Sequence, residues 1–313
     1  MPPEILGIHH LTAIASDPQR NLDFYAGVLG LRLLKVTVNF DMPETYHLYY
    51  GDAVGSPGTI LTFFPWIHAR QGRRGIGQVT VTSFASAHES LSYWAERLTA
   101  NGVDVAAADT RFDEQFISFA DPDGLQVEIV ARSDPMKTIH WTGSPVPAEF
   151  ALRGFLGATI LAGRPEATEG LLSGTLGFSR VRQEGNRVRY QVGPVGSGQF
   201  VDILRAAPDQ IGHVAVGSVH HIAWRTPSDE QELAWRAFLA RAGVGVTPVR
   251  DRQYFHSIYF AEPSGVLFEI ATDPPGFAID ETNEELGSSL KLPAWLEPRR
   301  SELESVLPPL RRP

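Results

Sequence analysis

The chain contains no cysteine. Disulfides, thiolate metal ligands and a cysteine nucleophile are excluded together, so any metal must be held by histidine and carboxylate. No stretch approaches the roughly 18 apolar residues that a membrane span needs. The opening Met-Pro-Pro-Glu also lacks the basic-then-apolar pattern of a secretory leader. A cytoplasmic location with no membrane partner is expected. Basic residues are the minority, 27 Lys and Arg against 36 Asp and Glu, for a formal charge of −9. Groups such as Arg70, Arg73 and Arg74, or Arg299 and Arg300, are too short to form a nucleic-acid-binding stripe.

The apolar class is 43% and charged residues are 20% of the chain, which describes a folded globular protein and not a disordered one. At 313 residues the chain is about twice the common domain size, so two domains or a duplicated fold are expected. Homo-oligomer formation is left open.

Duplication is visible. His88 to Ile129 aligns with Asp229 to Ile270. Each segment reads as an amphipathic helix, a glycine and three short strands, with Asp-Pro-Asp-Gly or Glu-Pro-Ser-Gly as the last turn. Asn21 to Val36 and Thr168 to Gln183 share another version, in which a helix ends at Leu-Gly with the glycine suited to a left-handed conformation. Short apolar strands at Ile8 to Ile14, Gln78 to Ser83, Phe155 to Leu161 and Val219 to Trp224 open the units. An α+β fold of four βαβββ modules is expected, at about residues 5–66, 76–132, 152–205 and 217–273. They form two tandem pairs, an N-terminal one within 1–135 and a C-terminal one within 150–273. A linker around Ser133 to Glu149 separates the pairs, and a tail covers 274–313. One unit alone exposes the inner face of a curved sheet, so units must pair and enclose a space suited to a small molecule.

Units one and four open with His9-His10 and His220-His221. Neighbours on a strand point to opposite faces, so each pair is expected to send one ring inward. In unit four, His220, Ile222 and Trp224 form a bulky face suited to packing under helices, which leaves His221 as the inward ring and His10 as its counterpart. The first strand of each unit should lie beside its last. In unit four the last strand is Gly265 to Ala271, where Glu269 is the only ionisable side chain, and a buried carboxylate must be neutral, paired or metal-bound. Two imidazoles and one carboxylate with open positions form the facial triad of non-haem Fe(II) oxygenases. A lone strand histidine is ordinarily a packed core residue, but two pairs at equivalent repeat positions with a carboxylate in one of those units argue for a ligand set. Glu128 holds the place of Glu269 in unit two, where Gln78 and Thr80 stand in place of imidazole, so it is expected to be structural or paired with a basic residue.

Repeat alignment sets Tyr259 and His256 against Ser118 and Gln115, so unit four is expected to carry a phenol and an imidazole near the metal. Arg252 is matched by Arg111, which points to a fold role, though Arg252 could also reach an anionic oxygen. Thr12 should share a face with His10. His47 and His68, in or near expected loops, receive no role.

Several segments carry a resemblance: Gly-Ile-His-His-Leu-Thr at the start, Tyr46-His-Leu-Tyr-Tyr, Gly55-Ser-Pro-Gly-Thr-Ile, Glu184-Gly-Asn-Arg-Val-Arg-Tyr190, Val219-His-His-Ile, Asp251-Arg with Tyr254-Phe, Gly265-Val-Leu-Phe-Glu and Gly276-Phe-Ala-Ile-Asp-Glu. Over nearly its whole length the chain resembles the vicinal oxygen chelate superfamily, most closely its hydroquinone 1,2-dioxygenase branch. The resemblance implies Fe(II), with Mn(II) as an alternative, on His10, His221 and Glu269. It further implies that His9, Thr12, His220, Arg252 and Tyr259 surround the metal or substrate, and that the partners are a small aromatic para-diol or catechol and O2. A glyoxalase-like isomerase is the alternative enzyme. It would want a fourth ligand, normally a carboxylate, and Thr59 to Phe64 offers none. A metal-free resistance-type binding module leaves Glu269 and the paired imidazoles without a purpose.

Overall fold

The structure is a computed structural model, and it describes residues 3–133, 138–193, 198–205 and 211–311. Part of the expected linker, Asp134 to Lys137, lies outside the described residues.

Module one contains β1 (Ile8–Ala15), α1 (Pro18–Leu22), β2 (Arg32–Asn39), β3 (Met42–Gly51) and β4 (Ile60–Pro65). Module two contains β5 (Gln78–Ala87), α2 (Leu91–Ala100), β6 (Asp109–Arg111), β7 (Glu114–Ala120) and β8 (Gln126–Arg132). Module three contains β9 (Phe155–Ala162), α3 (Pro165–Gly170), β10 (Ser179–Glu184), β11 (Arg187–Gln191) and β12 (Phe200–Arg205). Module four contains β13 (Val219–Thr226), α4 (Asp229–Arg241), β14 (Arg250–Asp251), β15 (Phe255–Ala261) and β16 (Leu267–Pro275), and α5 (Arg300–Val306) ends the described tail. Among the described residues no helix is long and apolar enough to cross a membrane.

The repeat grammar has local causes. Trp94 and Leu98 on α2, and Trp235 and Leu239 on α4, take the same i and i+4 places, and all four are buried against the sheets. In modules one and three the helices widen into π-turns over Asp23–Val28 and Leu171–Thr175, then end at Gly30 and Gly177 with φ of 72° and 78°, a conformation open to glycine. In both acidic turns the first carboxylate accepts from the amide four residues on: Asp121 from Leu125 N at 2.8 Å, and Glu262 from Val266 N at 2.9 Å.

The first strand of each module pairs in parallel with its last, β1 with β4, β5 with β8, β9 with β12 and β13 with β16. This leaves the other edge of each opening strand free. Those edges join antiparallel, β1 to β13 and β5 to β9. The two eight-stranded sheets are therefore β14-β15-β16-β13-β1-β4-β3-β2 and β10-β11-β12-β9-β5-β8-β7-β6. Module one shares a sheet with module four, and module two with module three, so the two members of each tandem pair lie in different sheets.

The tail fastens module one. Leu290 pairs with Val36 beside β2, and Leu292, Leu296, Leu303 and Leu307 cover Val38. Lys35 on β2 is fully buried, with Nζ 2.6 Å from Asp280 Oδ1 and 2.5 Å from Glu281 Oε2. Removing one member of a buried ion group strands the others without a counter-charge, so Lys35→Met should lower unfolding free energy by roughly 3–5 kcal/mol. Equilibrium denaturation would check this, and a loss below about 1 kcal/mol would show that the tail carboxylates find other partners.

Candidate metal centre and substrate cleft

The antiparallel seam between β1 and β13 slips by one residue twice. Ile8 and His10 face Trp224 and Ala223, so His9 is the extra residue on β1. Thr12 and Ala13 face His221 and Val219, so His220 is the extra residue on β13. A bulge breaks the alternation of side chains, and two successive residues can then lie on one side of the sheet. The expectation that each pair sends a single ring inward needs correction here. His220 lines the main cleft beside His221, despite its expected place under the helices. His9 borders a smaller pocket of about 260 Å³ on the far side of Phe255 and does not line the main cleft.

Glu269 on β16 completes the group, next to Ala223 on β13. Its Oε2 lies 2.9 Å from His221 Nε2 and 3.5 Å from His10 Nε2, and the two imidazole nitrogens are 3.3 Å apart. All three side chains are buried. Neither Glu269 oxygen accepts a well-directed hydrogen bond. Burial alone would raise its carboxyl, but His10 and His221 hold it well below the usual carboxylate range. Three potential ligand atoms therefore converge in a buried place. Metal bonds of about 2.0–2.2 Å set adjacent ligand atoms about 3 Å apart, and these three distances fit one face of a metal's coordination shell. The donor set of imidazole and carboxylate suits Fe, Mn or Zn.

The other ring nitrogens are anchored by the bulges. His9 Nδ1 is 2.9 Å from His10 Nδ1, and His220 Nδ1 is 2.8 Å from His221 Nδ1. Phe255 packs against both His9 and His10, with ring centroids 5.2 and 4.9 Å apart.

The group sits in a cleft of about 430 Å³. Its apolar walls include Phe40, Met42, Phe64, Trp66, Phe255 and Leu267. Tyr259 lies directly across from Glu269 and its ring is 5.9 Å from that of His221. Its oxygen accepts from Arg252 Nε at 3.1 Å and from Ser257 Oγ at 3.0 Å. Burial, then Glu269, push the phenol above its ordinary range, so it stays protonated and its own proton remains available. Arg252 Nη1 also pairs with Asp41 at 2.9 Å. Asp41 follows β2 and Arg252 follows β14, the two outer strands of this sheet, so one ion pair bridges the edges of the curl across the cleft.

Two expected neighbours are elsewhere. His256 is bonded to Asp229 at 2.8 Å and does not line the cleft, because its strand register turns it toward the start of α4. Thr12 is buried behind the lining, with Oγ1 2.8 Å from Thr62 Oγ1. His47, given no role from sequence, and Tyr49 both line the cleft from β3. Sequence carried no signal for them, because their place depends on strand register: Tyr49 lies opposite Thr62 as Tyr259 lies opposite Glu269.

The second sheet shows what the same positions look like without such a site. Arg111 holds Glu128 through two hydrogen bonds of 3.0 and 2.6 Å, and Ser83 Oγ donates to it at 2.7 Å. The register puts Val81 and Gly157 at the places of His221 and His10, rather than Gln78 and Thr80. Arg189 and Arg187 pair with Asp202 nearby.

A family model for the Glyoxalase/Bleomycin resistance protein/Dioxygenase superfamily matches residues 7–129 and 156–270, and the chain belongs to that superfamily. Within it the chain groups with ring-cleaving dioxygenases. It is 50% identical over 310 residues to the "Putative ring-cleaving dioxygenase MhqO" of Bacillus subtilis, covering 99% of this chain and 98% of that protein. It is 34% identical over 311 residues to the chlorohydroquinone/hydroquinone 1,2-dioxygenase of Sphingobium indicum, covering 97% and 96%. A crystal structure of a "putative dioxygenase" from Bacillus subtilis superposes with a TM-score of 0.94 at 49% identity, over 99% of this chain and 98% of that one.

Proposed function

We propose that the chain is an Fe(II)-dependent ring-cleaving dioxygenase whose substrate is a hydroquinone-type para-diol, with His10, His221 and Glu269 as the metal ligands. The observation that carries this reading is the convergence of three buried ligand atoms, two imidazole nitrogens and a carboxylate oxygen, in an aromatic-walled cleft. Fe(II) held on one face would supply open positions for a phenolate and for O2, together with the redox capacity the reaction needs. Mn(II) suits the same donors.

The chain's own residues do the rest. Phe64, Phe255 and Leu267 sandwich a flat ring and exclude water, which strengthens every polar contact inside. Tyr259, with Arg252 and Ser257 donating to its oxygen, presents its proton to a substrate oxygen beside Glu269. His220, next to His221 in the cleft, offers a second polar group there. His9 and Thr12 act from behind: His9 orients the His10 ring, and Thr12 fixes Thr62. In module one Thr62 stands at the place of Glu269, which leaves no fourth carboxylate of the kind an isomerase would use.

Enzyme reconstituted anaerobically with Fe(II) should consume about one O2 per hydroquinone opened, without added reductant, because the substrate supplies the electrons. An oxygen electrode with product analysis measures this. Isomerisation of the methylglyoxal–glutathione adduct, with no oxygen uptake driven by any aromatic diol, would show the reading to be wrong. Among diols, catechol turned over more efficiently than every para-diol would remove the para preference.

A further inference from the structure

Half of the cleft is not used by the ligand set. Strand register makes its two sides pseudo-symmetric. Tyr259 on β15 lies opposite Glu269 on β16, and Tyr49 on β3 lies opposite Thr62 on β4. Glu269 and Thr62 each sit beside the opening strand of their module, next to Ala223 and Thr12. Module four thus offers a carboxylate and a tyrosine, and module one a threonine and a tyrosine.

Each tyrosine has a basic partner. Tyr259 has Arg252, and Tyr49 has His47, whose Nδ1 is 2.9 Å from the phenol oxygen. His47 Nε2 is 2.8 Å from Thr62 Oγ1, which is 2.8 Å from Thr12 Oγ1. With the phenol donating to Nδ1, the imidazole carries its proton on Nε2 and donates to Thr62, so one tautomer satisfies the whole chain. Phe64 packs on the other side of His47 at a ring distance of 4.4 Å. Tyr49 is therefore fixed in place while its oxygen retains an unused acceptor site. Burial raises its phenol well above the ordinary range, and Tyr259 adds to this, which places the two phenols in one electrostatic neighbourhood.

A para-diol is itself two-fold symmetric, with its oxygens on one line across the ring. With one oxygen on the side of Glu269 and Tyr259, the other is directed to the opposite half of the cleft. We propose that Tyr49, oriented by His47 and Thr62, accepts a hydrogen bond from the far hydroxyl of the para-diol and thereby selects hydroquinones over monophenols and catechols. This rests on the dioxygenase reading above. It assigns Tyr259 to the near oxygen and makes Tyr49 the specificity-determining residue, with His47 a positioning residue.

The test is equilibrium binding without oxygen to Fe(II)-loaded enzyme, with hydroquinone and phenol as probes that differ only in the far hydroxyl. Wild type should bind hydroquinone more tightly than phenol. Tyr49→Phe should weaken hydroquinone by roughly three- to tenfold, the scale of one neutral hydrogen bond, and leave phenol affinity and iron content unchanged. His47→Gln should act in the same direction, because a loss confined to the ligand bearing the far hydroxyl is not what general damage produces. Equal losses for both ligands, or an unchanged preference in both folded variants, would overturn the assignment. Absence of any preference in wild type would do the same. Oxygen uptake by wild type with hydroquinone separates the two claims: uptake without the Tyr49 effect sinks only this inference, whereas no uptake with any diol sinks the dioxygenase reading as well.

Discussion

Replacing any one of His10, His221 and Glu269 by alanine is expected to abolish tight Fe(II) binding while the protein remains folded. Loss of a hydrogen-bonding neighbour of a ligand typically weakens metal affinity 10–100-fold. Loss of a ligand should exceed that, because two remaining donors cannot define a face. The fold should survive because the three side chains lie outside the large apolar core, to which Leu11, Ile222, Trp224 and Ile270 on the same strands belong. A further comparison tells a metal site from a structural ion pair. In metal-free protein the Glu269 carboxylate is held only through the imidazoles of His10 and His221, so Glu269→Gln should change the melting temperature of metal-free protein far less than that of Fe(II)-loaded protein. Glu128→Gln is the internal control and should leave iron content unchanged, since its carboxylate is occupied by Arg111 and Ser83. The measurements are anaerobic metal analysis and thermal melting. Stoichiometric iron in any folded ligand variant would remove that residue from the set, and a large fall in melting temperature for metal-free Glu269→Gln would recast the triad as structural.

Tyr259→Phe is expected to keep its iron and lose turnover by roughly one to three orders of magnitude, the range for loss of a positioned proton donor. The removed hydroxyl is the one whose oxygen is held by Arg252 and Ser257 and whose proton has no acceptor among the described residues. The aromatic ring and its packing beside His221 are retained. Turnover per bound iron, compared across hydroquinone, methylhydroquinone, chlorohydroquinone and catechol, gives the result directly. Unchanged turnover for the para-diols would take Tyr259 out of the reaction. Arg252 has a second engagement with Asp41 across the cleft, so substitutions of Arg252 perturb both the phenol and that bridge and are less easily read.

Much of the architecture follows from local physics written along the chain. Trp94 and Trp235 recur at one place in two amphipathic helices, Gly30 and Gly177 end two others, and two acidic turns close the modules, so four βαβββ units can be counted without coordinates. The histidine pairs and the lone Glu269 in an apolar strand are legible for the same reason, since a buried ionisable side chain in such a strand requires a partner. The basic partner of Glu128 was likewise expected, and Arg111 supplies it.

Tertiary structure alone decided how those parts meet. Every module leaves the same free edge on its opening strand, so nothing local selects module four over module two as the partner of module one, yet only that pairing brings His10 to His221 and Glu269. The bulges at His9 and His220 are differences in residue count between paired strands, a quantity no single strand contains. Because of them His220 reaches the cleft, against simple alternation. His47 and Tyr49 became part of the cleft in the same way, since their side chains gain a shared wall with Tyr259 only when the two outer arms of one sheet curl toward each other and Asp41 meets Arg252.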